Sequence, residues 1–216
     1  MTGQVKLDSY ADTGVLAAIL LVNGLAVASP DDPVAAVQGV LAIDPPSQDQ
    51  FVPADTPGFV ALAADLRRIF GLVGEGDIES AAAWLNHLLA THPSHPHLAM
   101  EDGVWRLHHH PIDAELVPMW TAICAEALAR LIGNGHARRL GTCERPGCGR
   151  VFVDLSKNAS RAFCSTTCQN RIKAAAFRAR RDPATHPAAQ PAESSHSSNV
   201  GPPSVASGPG SRAPSS

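Results

Sequence analysis

The sequence predicts a mainly α-helical protein with a small β-hairpin, in which a helical N-terminal domain precedes a treble-clef-like finger of hairpin and helix. Three observations support this fold class. Apolar residues recur at helical spacing through much of the first 140 residues, and four cysteines form two close pairs further along the chain. The last 35 residues contain seven Pro and nine Ser but no aromatic residue. We therefore predict a helical domain (1–140), a finger (141–181) and a disordered tail (182–216).

Helical periodicity defines the N-terminal domain. Three amphipathic helices are predicted because apolar side chains recur every three to four residues. A further helix is expected in the apolar run 15–27, where Asn23 interrupts the pattern as a candidate buried hydrogen-bonding residue. Residues 29–57 are rich in Pro and Asp and are expected to be irregular. The three amphipathic helices cover residues 59–73, 78–89 and 116–131.

A small hairpin is predicted for residues 98–107, where Asp102-Gly103 lies between two short apolar runs. This dipeptide favours a tight turn because Gly tolerates positive φ. Histidines on both sides of the hairpin suggest a second metal site, but their exposed or Pro-rich surroundings favour surface histidines instead. They are His92, His95, His97, His108, His109 and His110.

The clustered cysteines predict a structural zinc site. Four residues separate Cys143 from Cys148, fifteen more precede Cys164, and three separate Cys164 from Cys168. Two close pairs can place four thiolates at the corners of the tetrahedron that zinc prefers. With every corner filled, one Zn²⁺ ion is expected to hold the fold and to take no part in catalysis. Disulfides or free thiols are the alternative, and the odd total of five argues against a disulfide framework, with Cys124 expected as a core thiol.

Local signals also predict the elements of the finger. Residues 151–153 are expected to form a strand and residues 161–163 the strand that returns beside it. Thr166 and Gln169 fit a capping box, in which each side chain binds an exposed amide of the helix start. This places Cys168 in the first helical turn, where the helix dipole favours a thiolate.

Positive charge is concentrated in the finger. Residues 138–181 contain eleven Lys and Arg and two acids, whereas the whole chain has a net charge of −3. Such a basic segment is expected to bind phosphate groups. On the predicted helix, Ile172, Ala175 and Ala176 share a narrow packing side, and the remainder is cationic. The alternative is a solvated helix that only aids solubility or docks on the acidic N-terminal domain. The predicted nucleic-acid contacts are Asn170, Arg171, Lys173, Arg178, Arg180 and Arg181.

The sequence disfavours export, membrane insertion and catalysis. The apolar run 15–28 lacks the positive leading region of a signal peptide, and no run approaches the roughly 20 apolar residues of a membrane span. We therefore expect a cytoplasmic protein without a membrane partner. No phosphate loop, nucleophile elbow or carboxylate–histidine set is present, so we expect no enzyme. Arg67 and Arg68 are candidates for binding an anionic effector, although we favour a structural ion pair for the one that faces inward.

These residues carry a resemblance to a known family. The segment from Cys143 to Arg181 resembles the bacterial CGNR zinc finger, and the N-terminal part is similar to the ABATE domain usually fused to it. The resemblance implies a stress-induced transcription regulator with a DNA-binding finger. The chain departs from the signature at Gln169, where the family has Gly. The motifs concerned include Phe152-Val153-Asp154, Ser160-Arg161, Asn170-Arg171-Ile172-Lys173, Leu85-Asn86-His87-Leu88-Leu89 and Trp105-Arg106-Leu107.

Two functional hypotheses follow from the sequence. The first is a zinc-dependent DNA-binding regulator, whose helical domain senses an effector or forms a homodimer. The second is a protein-interaction adaptor whose finger docks a protein partner and has no direct contact with DNA. Affinity for duplex DNA that weakens steeply with salt distinguishes the first from the second.

Overall fold

The computed structural model describes residues 9–101, 103–108 and 113–181, so the predicted tail (182–216) and His109 and His110 lie outside the described residues. The described part of the chain is mainly helical with two antiparallel strand pairs, which confirms the predicted fold class. The helices are α1 (Ser9–Leu21), α2 (Pro33–Leu41), α3 (Pro45–Gln50), α4 (Thr56–Gly74), α5 (Ile78–Thr91), α6 (Leu116–Gly133) and α7 (Thr166–Arg181). The strands are β1 (His97–Glu101), β2 (Val104–His108), β3 (Leu140–Thr142) and β4 (Val151–Val153).

The core lies among α1, α4, α5 and α6. Helix α1 packs along α6, and α5 packs against both α4 and α6. The apolar stripe of α4 is fully buried at Phe59, Leu66, Ile69 and Phe70, as its helical spacing predicts. Strands β3 and β4 contribute Leu140, Val151 and Val153 to the same core. The described residues as far as Ala176 belong to one compact unit, and Phe177 begins a second.

The expectation that residues 29–57 are irregular is wrong, because this segment contains α2 and α3. Each helix begins with an Asp-Pro pair. The side chains of Asp32 and Asp44 accept hydrogen bonds from the amides of Ala35 and Ser47, at 3.0 and 3.1 Å. The following proline stands in the first helical turn, where no amide is needed for helix hydrogen bonds. The Asp-Pro pairs of this segment therefore mark the starts of two helices.

The predicted hairpin is confirmed as the antiparallel pair β1–β2. Gly103 occupies the turn with φ of +78°. Across the two strands, Leu98 lies opposite Leu107 and Met100 lies opposite Trp105. These four residues are among the most exposed large apolar residues in the described part of the chain.

Helix α6 has the length and composition of a membrane span, with 18 residues and a mean hydropathy of 1.4. More than half of it, 56%, is buried inside the protein, which is the environment of a core helix. Cys124 lies on this helix and is fully buried, so the prediction of a core thiol is confirmed. Burial raises the pKa of this thiol.

Candidate metal centre and nucleic-acid interface

The first cysteine pair lies in a tight turn that joins β3 to β4. The amide of Cys143 donates to the carbonyl of Arg150 at 2.8 Å, and the amide of Cys148 donates to the carbonyl of Arg145 at 3.0 Å. Gly147 and Gly149 flank Cys148 with φ of +71° and +65°, a conformation that a side chain would strain. This backbone brings both cysteines to the same end of the strand pair.

The predicted strand partner of β4 is wrong. Strand β4 pairs with β3, with Leu140 opposite Val153, and residues 161–163 form no strand. The amide of Asp154 donates to the carbonyl of Arg139, which extends the contact between the two chain segments. The return segment is held instead by a backbone hydrogen bond from the amide of Glu144 to the carbonyl of Ala162, at 3.0 Å, and by the side chain of Asp154.

The second cysteine pair lies at the start of α7, as predicted, with Cys168 in the first turn. The predicted capping residue is wrong by one position. The hydroxyl of Ser165 accepts a hydrogen bond from the amide of Cys168 at 3.2 Å, and the carbonyl of Ser165 accepts one from the amide of Gln169. Thr166 is therefore the first residue of the helix, and Ser165 is its N-cap.

The four sulfur atoms converge on one point. The Sγ atom of Cys148 lies 3.8 Å from those of Cys164 and Cys168, which are 3.6 Å from each other. The Sγ atom of Cys143 completes the cluster, with all four sulfurs within 4.8 Å. Zinc–sulfur bonds of about 2.3 Å at tetrahedral angles place sulfur atoms about 3.8 Å apart. The four cysteines therefore fit one structural Zn²⁺ ion.

The electrostatics of the cluster also suit a cation. Hydrogen bonds from Ser165 and Arg145 lower the pKa of Cys168 to about 6, and the Nε–H group of Arg145 donates to Cys168 Sγ at 3.3 Å. Burial and the neighbouring thiols raise the pKa of Cys164 to about 12. Four thiolates this close repel one another, so full deprotonation requires a positive ion among them.

A buried carboxylate organises the loop between β4 and α7. Asp154 is 2% exposed, and its carboxylate accepts hydrogen bonds from the amides of Ser156 and Arg161, at 2.7 and 2.6 Å. Burial raises the pKa of Asp154, but these hydrogen bonds and the charge of Arg139 outweigh burial and lower it. The Arg139 guanidinium in turn donates to the carbonyls of Asp154 and Ser156, at 2.8 and 2.9 Å.

Three arginines of the basic segment are therefore structural. Arg139 is buried, Arg145 contacts a cysteine sulfur, and Arg161 donates to the carbonyls of Phe163 and Cys164. The guanidinium of Arg161 also lies over the Phe152 ring at 4.8 Å. The charge pattern of the sequence does not distinguish these three side chains from the exposed cations of α7.

The predicted nucleic-acid contacts all lie on α7 and are all exposed. The predicted packing side is smaller than expected, because Ile172 is half-buried whereas Ala175 and Ala176 are exposed. Beyond its first turn, α7 therefore exposes its cations together with small alanines and Phe177. The exposed predicted contacts are Asn170, Arg171, Lys173, Arg178, Arg180 and Arg181.

The finger is joined to the helical domain through Asn23. This residue is 8% exposed and lies in a π-helical segment, Val22–Val27, that continues α1. Its side-chain amide donates to the carbonyl of Val151 at 3.0 Å, and its side-chain oxygen accepts from the amide of Val151 at 2.8 Å. The prediction that Asn23 is a buried hydrogen-bonding residue is confirmed. Its hydrogen-bonding partner is Val151, on the edge of β4 that does not pair with β3.

Asn23→Leu is expected to lower the free energy of unfolding by about 1–3 kcal/mol, because the amide and carbonyl of Val151 lose their partners in a buried place. Denaturant unfolding with saturating zinc measures the effect. Asn86→Leu is the control, since Asn86 is exposed on α5 and its replacement should change stability by less than about 0.5 kcal/mol. Equal stability of the two variants would contradict this role of Asn23.

Arg67 and Arg68 are both exposed, so the expectation that one of them faces inward is not met. Arg67 donates to the carbonyl of Ala26 at 2.5 Å, near the end of the π-helical segment. The guanidinium of Arg68 lies over the Trp84 ring at 4.0 Å. An effector-binding role for this pair stays a prediction.

The histidines do not form a metal cluster among the described residues. The rings of His97 and His108 stack across the hairpin with centroids 5.3 Å apart. Among those residues, the four cysteines form the one group of three or more metal-binding side chains whose ligand atoms converge.

The hairpin-and-helix module with its four-thiolate site defines a zinc-finger protein. A family model described as CGNR zinc finger matches residues 139–181. The ABATE family model, described as "Putative stress-induced transcription regulator", matches residues 2–135. The chain belongs to the ABATE family and carries a CGNR zinc finger. No curated protein gives a significant match.

Proposed function

We propose that this protein is a cytoplasmic DNA-binding transcription regulator in which structural zinc holds the start of a basic helix for contact with DNA. One observation carries the proposal. The cations of α7 are exposed, whereas three other arginines of the same segment are engaged in holding the finger together. The matched families are of regulatory and zinc-finger type, which agrees with this function and with the absence of a catalytic role.

The exposed cations would bind phosphates and release the counterions condensed on DNA. Five such contacts, from Arg171, Lys173, Arg178, Arg180 and Arg181, give an expected salt slope of roughly −4 to −5 in a plot of log affinity against log salt. Recognition of a particular DNA sequence would require side chains that contact the edges of the bases. Arg171 suits guanine and Asn170 suits adenine, because each can form two hydrogen bonds to that base.

A groove of about 270 Å³ beside the first turn of α7 supports the same interface. Its lining includes Ser160, Arg161, Thr166 and Gln169. The start of a helix favours anions, so a phosphate oxygen is the group that we expect near this groove. Gln169 brings a side chain to the place where the family signature has Gly, which limits how closely a phosphate can approach the backbone there.

The double variant Arg171→Ala/Lys173→Ala is expected to bind duplex DNA more weakly and to reduce the magnitude of the salt slope by about 2, because two phosphate contacts are lost. Fluorescence anisotropy over a series of salt concentrations measures both quantities. Arg68→Ala/Arg106→Ala removes the same charge from the helical domain and should leave the slope unchanged.

Two results would overturn the proposal. One is a salt slope of the Arg171→Ala/Lys173→Ala variant that equals the salt slope of the wild type. The other is no measurable duplex affinity at low salt, which would favour the protein-adaptor function. Leu155 and Phe177, which are 70% and 58% exposed, would then be the first apolar contacts to test for a protein partner.

The sensing role of the helical domain is part of the same proposal. Response to stress, as in the family description, requires a signal that reaches the finger. Arg67 offers one physical route, because its guanidinium contacts Ala26 and lies close to Gly149, which is beside Cys148. An anionic effector bound by Arg67 and Arg68 would compete with that contact.

A further inference from the structure

The β1–β2 hairpin carries an apolar face that the rest of the described chain leaves open. Two cross-strand pairs, Leu98–Leu107 and Met100–Trp105, share this face because directly opposed residues of an antiparallel pair point to the same side. Their exposed fractions are 62% for Leu98, 53% for Met100, 62% for Trp105 and 47% for Leu107. A contiguous apolar face of this kind on a protein surface marks an interaction site.

The opposite face of the same hairpin differs in character. The register places His97 opposite His108, Ala99 opposite Arg106, and Glu101 opposite Val104. His97, Arg106 and His108 are therefore on one side of the hairpin, and the four large apolar residues Leu98, Met100, Trp105 and Leu107 are on the other. A two-stranded hairpin is marginally stable alone in water, so covering its apolar side would also stabilise the hairpin itself.

We propose that this face, formed by Leu98, Met100, Trp105 and Leu107, is the dimerisation surface of the protein and that its occupant is the same face of a second copy. The face has no charged residue, so it offers nothing to a charged peptide or to phosphate. It is also self-complementary. A two-fold axis between the two cross-strand pairs places Met100 and Trp105 of one copy over Leu98 and Leu107 of the other, as a closed symmetric dimer requires.

The size of the surface determines the strength of the dimer. Trp105 offers on the order of 100–150 Å² of exposed area, since an aromatic side chain buries about 150–250 Å² when fully covered. The four residues together stay below the roughly 800 Å² per partner of a standard interface. The dimer is therefore weak and depends on protein concentration, and it does not depend on DNA binding.

Sedimentation velocity of the zinc-loaded full chain without DNA, from low micromolar to several hundred micromolar protein, tests this surface. The wild type is expected to show a reversible monomer–dimer equilibrium. Met100→Ser is expected to weaken dimerisation by about tenfold or more, because each substitution counts twice in a symmetric dimer. Leu107→Lys, which brings charges into the interface, is expected to abolish it.

Val104→Ser is the matched control. Val104 is 54% exposed, close to the 53% of Met100, but lies on the opposite face of the same hairpin. It should leave the dimer intact, and amide hydrogen exchange of β1 and β2 should show that the hairpin is folded in every variant. A wild type that is monomeric throughout, a dimer unaffected by Met100→Ser and Leu107→Lys, or equal loss in Val104→Ser would each overturn the proposal.

Discussion

Cys168→Ser is expected to reduce bound zinc from about one ion per chain to a small fraction and to unfold the finger. Structural zinc sites in small fingers contribute about 10–16 kcal/mol of apparent binding free energy, which is larger than the effect expected for any other single interaction of the finger. Removal of the metal with a chelator should have the same effect. Metal analysis measures the occupancy, and amide hydrogen exchange across residues 140–168 measures the fold.

Unfolding of the finger is also expected to lower the stability of the helical domain. Leu140, Val151 and Val153 are buried in its core, so an unfolded finger leaves the adjoining surface of α1 and α4 uncovered. We expect the helices to remain folded with a lower midpoint of thermal unfolding. Cys124→Ala is the control, because this thiol is buried in α6 and should not affect the metal. A Cys168→Ser protein with full zinc occupancy, or an unaltered exchange pattern, would contradict the assignment.

Asp154→Ala is expected to cost about 3–5 kcal/mol of stability, the second largest effect. The amides of Ser156 and Arg161 lose their acceptor, and the buried guanidinium of Arg139 loses the negative charge beside it. Denaturant unfolding of the zinc-loaded protein measures the change. Asp154→Asn keeps an acceptor oxygen but loses the charge, so its effect should be intermediate.

Glu144→Ala provides the comparison, because Glu144 is the other acidic residue of the finger and is exposed. Its removal should change stability by less than about 0.5 kcal/mol. Should Asp154→Ala and Glu144→Ala prove equally stable, the buried carboxylate would not organise the loop. A zinc content that stays constant in Asp154→Ala would show that the effect arises in the loop and not in the metal site.

The metal site was predictable because its signal is local. The spacing of Cys143, Cys148, Cys164 and Cys168 limits where the sulfurs can lie, and zinc tolerates few geometries. The start of α7 was predictable to within one residue, since Ser165 and Thr166 both have hydroxyls that suit an N-cap. The Asp-Pro starts of α2 and α3 are local signals of the same kind, because an Asp N-cap followed by proline favours the start of a helix.

The strand partner of β4 could not be read in the same way. Residues 140–142 and 161–163 are both short segments with strand-forming residues, and strands of three residues have too little alternation to show a register. In the structure, the carboxylate of Asp154 accepts a hydrogen bond from the amide of Arg161, and the carbonyl of Ala162 accepts one from the amide of Glu144. These contacts hold residues 161–163 without strand pairing.

By itself, the sequence determined the elements whose signals repeat within a few residues, namely the core helices, the hairpin turn, the thiolate tetrahedron and the cationic helix. Long-range contacts determine which arginines are structural and which are exposed on α7, and they bring Asn23 to the edge of β4 across 128 positions of sequence. The physical reason is the same in both cases. A guanidinium or amide group has the same chemistry wherever it stands, and its role depends on which carbonyl, carboxylate or sulfur the folded chain brings within hydrogen-bonding distance.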